Sequence, residues 1–202
     1  MQKLDQLKET PSQTVGPYVH IGCVPNFAGI SGVFDDDLGS QMVQDGAKGE
    51  RITVSGTVFD GTGTPLRDAL IEIWQADADG LYTAGDPRGP GDPNFTGWGR
   101  TAGDGATGLW SFETIRPGAV PFPDGRMMSA HISFWIVARG INIGLQTRMY
   151  FPDDPTLAND PWLTRIEHQN RVPTLIAKQT EPGHLQFDIH LQGPEETIFF
   201  DV

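Results

Sequence analysis

An all-β fold is predicted: an antiparallel β-sandwich with an extended N-terminal arm, long loops and one or two short helices. Three observations predict it. Several short runs alternate apolar and polar residues with a period of two, 25 glycines and 16 prolines punctuate them, and little of the chain carries a helical period. Residues 1–50 read as an N-terminal arm and subunit-contact segment, because Pro11, Gly16 and Pro17 forbid a continuous helix while Val15, Tyr18, Val19 and Ile21 need something to lie against. That arm either tucks onto its own domain or reaches a second chain. Residues 51–202 read as the sandwich. Ile52, Val54 and Val58 alternate with Thr53, Ser55 and Thr57, and Asp60-Gly61-Thr62-Gly63 turns the chain. Ala69 to Ala76 is the next strand, Gly80 to Thr107 a long glycine-rich loop, and Leu109 to Ile115 a strand after it. From Ala130 the alternation is cleanest. Ala130, Ile132, Phe134, Ile136 and Ala138 share a core-like face, and His131, Ser133, Trp135, Val137 and Arg139 share the other. Leu145 to Phe151 makes another strand, short helices fit near Leu157 to Ile166 and Pro173 to Lys178, and Leu185 to Gln192 closes the fold with one wet face.

With 202 residues and 38% hydrophobic side chains, the chain can fill one core with an arm outside it. A formal net charge of -12 excludes nucleic acid and an anionic membrane surface as partners, since both demand a basic footprint. A small anion remains possible where one arginine dominates locally. Cys23 is the single cysteine, so no intrachain disulfide forms. The charged opening MQKLDQLKET has no apolar centre of the signal-peptide kind, and no later run reaches membrane-spanning length, so a soluble cytoplasmic protein is expected.

Candidate chemistry lies at the two ends of the strand from Ala130. His131 starts it, and Tyr82 enters the loop that follows the strand ending near Ala76. Phenolate and imidazole suit a hard ferric ion, but two donors are too few, and a core histidine with a hydrogen-bonded loop tyrosine accounts for the same residues. Arg139 lies eight residues after His131, roughly 26 Å away in an extended strand, so the two cannot serve one small pocket. Arg139 is either a rim ion-pair residue or a fork for a carboxylate. No G-x-S-x-G elbow occurs, and the glycines of the long loop do not open a helix in the manner of a phosphate cradle.

The segments WQADADGLY, DPNFTGWGRT, FETIRPGAVPF, SAHISF and VARGINIG resemble the intradiol ring-cleaving dioxygenases, and the likeness spans nearly the whole chain. TPSQTVGPYVHIG, ARGINIGLQTRMYF and FDIHLQGPEETIFFDV are similar to the chain that binds no iron in the two-chain members of that family. The resemblance implies a non-haem Fe(III) held by two tyrosines and two histidines on a homologous iron-binding beta subunit. Here Tyr82 and His131 match two of those positions, while Val120 and Ser133 stand where the other two ligands would be. It further implies that Thr14, Gly16, Pro17, Tyr18 and Arg139 line the partner's pocket, with Arg139 facing the carboxylate of a small aromatic substrate. The implied reaction opens 3,4-dihydroxybenzoate (protocatechuate) between its hydroxyls with O2, giving 3-carboxy-cis,cis-muconate. A homo-oligomeric intradiol enzyme with its own iron and a non-catalytic sandwich used for binding or scaffolding are the rival readings.

Overall fold

The computed structural model describes residues 13–201, so the opening of the arm, residues 1–12, lies outside the described residues. Two sheets stack face to face. In the first, β1 (Arg51–Phe59) pairs antiparallel, from Arg51 to Thr57, with the whole of β4 (Leu109–Ile115), Gly56 lying opposite Trp110. Its other edge takes β10 (His184–Gln186) and then β11 (Ile189–His190), both parallel to it, and β9 (Lys178–Glu181) adds to β10. The second sheet has the order β3, β2, β7, β8: Trp98–Ala102, Leu70–Trp74, His131–Val137 and Leu145–Tyr150, all antiparallel. A small ribbon, β5 (Val120–Pro121) with β6 (Met127–Met128), precedes β7.

Between the sheets the alternating faces close on each other as their periodicity dictates. Ile52, Val54 and Val58 of β1, with Trp110 and Phe112 of β4, meet Ile71 and Ile73 of β2 and Ile132, Phe134 and Ile136 of β7. Phe134 spans the gap. Its ring lies 5.5 Å from that of Trp110 and 5.3 Å from that of Phe187.

The structure corrects the sequence-based expectation in four places. The loop predicted over Gly80 to Thr107 contains β3, whose Gly99 abuts Met42 and Phe112 so closely that a side chain there would collide with the core. The short helices expected around Leu157 to Ile166 and Pro173 to Lys178 are 3-10 in type: single turns at Leu157–Asn159 and Leu163–Arg165, and a seven-residue helix at Gln169–Leu175. Pro161 and Pro173 remove amide donors there, and the Asp160 carboxylate accepts from the Trp162 and Leu163 amides in place of a helical carbonyl. The arm makes one turn of helix, α1 (Val19–Cys23), once it is past Gly16 and Pro17. The last predicted strand breaks into β10 and β11, because the Phe187 carbonyl closes on Gly56 and the Asp188 carboxylate accepts from the Thr57 amide.

Gly56 is required by that approach: a methyl group on it would lie 2.0 Å from the Phe187 oxygen and 2.7 Å from the Trp110 ring. Gly56→Ala is therefore expected to cost about 3 kcal/mol through overpacking against backbone, read as a lower urea midpoint with little change in slope.

Candidate functional site

The two ends of β7 place the predicted residues in two separate regions. At the first end His131 is buried, 5% exposed, facing Tyr150 across the β7–β8 ladder with ring centroids 5.6 Å apart. Its Nδ1 lies 2.8 Å from the Ser129 carbonyl, which puts the proton on Nδ1 and leaves a lone pair on Nε2. Burial, aided by the charge of Arg148, pulls the His131 pKa down to about 4, so the ring is neutral near pH 7. The Asp160 carboxylate accepts from the Ser129 amide and so ties this corner to the 3-10 turn that carries Trp162.

Tyr82 reaches the same region from the loop after β2. Asp77 shapes that loop by accepting from the amides of Asp79, Leu81 and Asp92, and Asp86 accepts from the amide of Tyr82 itself. The Tyr82 ring packs against the cluster of Ala76, Val120, Phe122 and Met128, and burial raises its pKa. Val120, 2% exposed, is part of that apolar wall; Ser133 is half-buried and sits directly across from Arg148. Neither Val120 nor Ser133 supplies a donor suited to iron, so the residues present do not fit a ferric centre of the kind that the resemblance assigns to the partner chain. Sequence reasoning missed Tyr150 and Arg148. The Tyr150 hydroxyl is buried with no hydrogen-bond partner among the described residues, its pKa is pushed up by burial, and only the 131–150 register could have pointed to it.

At the far end, Arg139 stands two residues past β7 on the turn Ala138-Arg139-Gly140, with Gly140 at φ +83°. Thr14 binds this turn from both sides. Its hydroxyl donates to the Ala138 carbonyl at 3.2 Å and accepts from the Gly140 amide at 2.9 Å, bracketing Arg139. Just beyond, α1 seats Val19 and Cys23 on Val24, Leu70, Ala102 and Val137, the outer face of the second sheet at its Arg139 end. The structure thus brings Thr14 and Arg139 together and keeps them away from His131. Arg139 pairs through Nε with Asp68 Oδ2 at 3.4 Å, yet its side chain stays 59% exposed against 12% for Asp68. Gly16, at φ +77°, turns the arm outward so that Pro17 is exposed and Tyr18 is 74% exposed.

Comparison with known proteins agrees with this architecture. A family model described as Dioxygenase matches residues 24–193. The chain is 42% identical over 202 residues to the protocatechuate 3,4-dioxygenase alpha chain of Pseudomonas putida, an alignment that covers 98% of each protein. It is 39% identical over 177 residues to the protocatechuate 3,4-dioxygenase beta chain of Burkholderia cepacia, covering 82% of this chain and 75% of that one. Catechol 1,2-dioxygenase from Acinetobacter sp. ADP1 shares the fold, with a TM-score of 0.59 at 21% identity over 85% of this chain and 70% of that one. Among the described residues, no helix is long and apolar enough to cross a membrane.

The buried imidazole carries a pH dependence. An unfolded histidine takes up its proton near pH 6.5 while folded His131 resists until about pH 4, so its contribution is complete above 6.5 and is lost as the pH falls through that interval. That interval is worth about 3 kcal/mol. Denaturant midpoints measured from pH 7 to pH 4 should fall more steeply for the native chain than for His131→Asn, and equal slopes would rule this origin out.

Proposed function

Because the chain belongs to the intradiol dioxygenase family, we propose that it is the alpha subunit of a ferric protocatechuate 3,4-dioxygenase and works only beside a homologous iron-bearing beta subunit. The carrying observation is the split along β7. The pocket at the His131 end is short of donors, whereas the Arg139 end presents a clamped guanidinium and a turned-out arm. Its alpha-chain relatives and the beta chain of the same enzyme support the two-chain reading.

In that assembly the partner's Fe(III) supplies the chemistry by which O2 opens the ring of the dihydroxybenzoate. The residues of this chain position the substrate. Thr14 fixes the turn, Asp68 holds the guanidinium by one edge, and the remaining N–H groups of Arg139 face outward to receive a carboxylate. Gly16 and Pro17 set the arm's direction, and Tyr18 offers its hydroxyl to the wall of the partner's cavity. Contact with a second chain also accounts for Val15, Phe27, Ile30, Val33, Phe34 and Leu38, all exposed along the same N-terminal segment.

Two measurements test this. Co-expressed with the beta chain, the protein should purify as a burgundy complex active on protocatechuate, and alone it should be colourless and inactive; iron-dependent activity of the chain alone would refute the assignment. Within the complex, Arg139→Ala should raise KM for protocatechuate about tenfold or more, as expected for a lost charge-assisted hydrogen bond, with a smaller effect on kcat. Thr14→Ala should reproduce part of that loss and Thr14→Ser restore it, while unchanged kinetics in Arg139→Ala would remove the carboxylate role.

A further inference from the structure

The pocket at the His131 end contains a charge that the missing ligands do not explain. Arg148, half-buried on β8, lies directly across the ladder from Ser133 and two residues from Tyr150, which faces His131. One of its guanidinium nitrogens, Nη1, lies 3.5 Å from the sulfur of Met128, and Met128 pairs with Val120 across the β5–β6 ribbon. Val120 in turn belongs to the cluster against which Tyr82 packs. Arg148 is thus in direct register with Ser133 and is linked through Tyr150 to His131, through Met128 to Val120, and through the Val120 cluster to Tyr82, the four positions that would carry the metal. It is stacked 4.5 Å from the centre of the Trp162 ring and 6.0 Å from that of Phe200, which are themselves packed edge to face. Among the described residues no carboxylate lies in ion-pair range of it. Asp160, on the same corner, is already accepting three backbone amides.

We propose that Arg148 is the resident cation of this pocket: its guanidinium, held by Met128, Trp162 and Phe200, occupies the place of a metal ion and keeps one out independently of the lost ligands. A fixed positive charge at this range opposes a trivalent ion strongly, since the half-buried setting screens it less than water does. The aromatic faces replace the anionic donors that a metal would have required. The same charge acts on the neighbouring groups, adding to the burial that keeps His131 neutral and opposing the rise at Tyr82 and Tyr150. This inference uses the family reading only to name the four positions. Its test needs no beta chain, so its failure leaves the subunit assignment intact.

The experiment restores the donors with and without the charge. The full-length chain is prepared as Val120→Tyr/Ser133→His, and as that pair combined with Arg148→Gln or Arg148→Lys. Ferric ion is added, excess is removed by desalting, and bound iron is measured by metal analysis and by the visible phenolate-to-iron absorption. Circular dichroism and urea midpoints establish that each variant is folded. The Arg148→Gln triple variant should bind about one iron per chain, at least about tenfold more tightly than the double variant or the Arg148→Lys triple, the scale on which neighbouring groups tune a metal site. Equal binding by the double variant and the Gln triple, equal binding by the Lys and Gln triples, or no binding by a folded Gln triple would each overturn the proposal. Should those chains not fold, Ser133→His alone, which supplies a third donor, is compared with and without Arg148→Gln: ferric ion should bind at about tenfold lower concentration when the guanidinium is removed, and identical binding curves would overturn the proposal.

Discussion

The packing of β7 against the first sheet is the constraint from which the rest of this molecule follows. Ile132, Phe134 and Ile136 enter the core together, and Phe134 is gripped by Trp110 from β4 and Phe187 from the segment between β10 and β11. In a tightly packed interior a strand so placed cannot slide by one residue, because every side chain would change face. The register across to β2 and β8 is fixed with it, and so are the positions of His131, Ser133 and Arg148 relative to one another. A rigid central strand thus holds its two ends apart, and each end has become a different kind of surface.

At one end the surroundings are apolar and closed. Val120, Met128, Phe122 and Trp162 pack together, the imidazole stays neutral, and a guanidinium rests on aromatic rings. At the other end polar groups are aligned outward: a threonine hydroxyl brackets the turn, and a largely shielded aspartate holds one side of an exposed arginine. Two-sided support of this kind reduces the rotamer freedom that a long side chain would otherwise lose when it meets a ligand. The chain therefore places its preorganised polarity on the surface proposed to meet a beta subunit, and its apolar packing around Tyr82 and Val120.

Much of this was legible in the residues themselves. The alternation of Ile52, Val54 and Val58, and of Ile132, Phe134 and Ile136, identified both sheets, because burial on one side leaves a period-two record. The separation of His131 from Arg139 followed from strand rise alone. What could not be read depended on contacts distant in sequence. The strand Trp98–Ala102 has no apolar residue besides its tryptophan, glycine and alanine, so it pairs by virtue of β2 lying beside it and not by its own pattern. The break after Gln186 arises from the meeting of Phe187 with Gly56, 131 positions away in the analogous Thr57 to Asp188 bond. Arg148 and Tyr150 looked like ordinary members of an edge strand, and only their register against Ser133 and His131 gives them meaning. The roles of Thr14, Gly16, Pro17 and Tyr18 came from family resemblance; the backbone geometry adds the clamp on Gly140 that no local motif contains.

The Thr14 clamp also bears on how the molecule matures. Its two hydrogen bonds join residues 124 and 126 positions apart, and their acceptor and donor come into place only once the turn after β7 is formed. Entropy makes such a contact late. Seating of the arm therefore waits on that turn, just as completion of the first sheet waits on the equally distant pairing of β1 with β10 and β11.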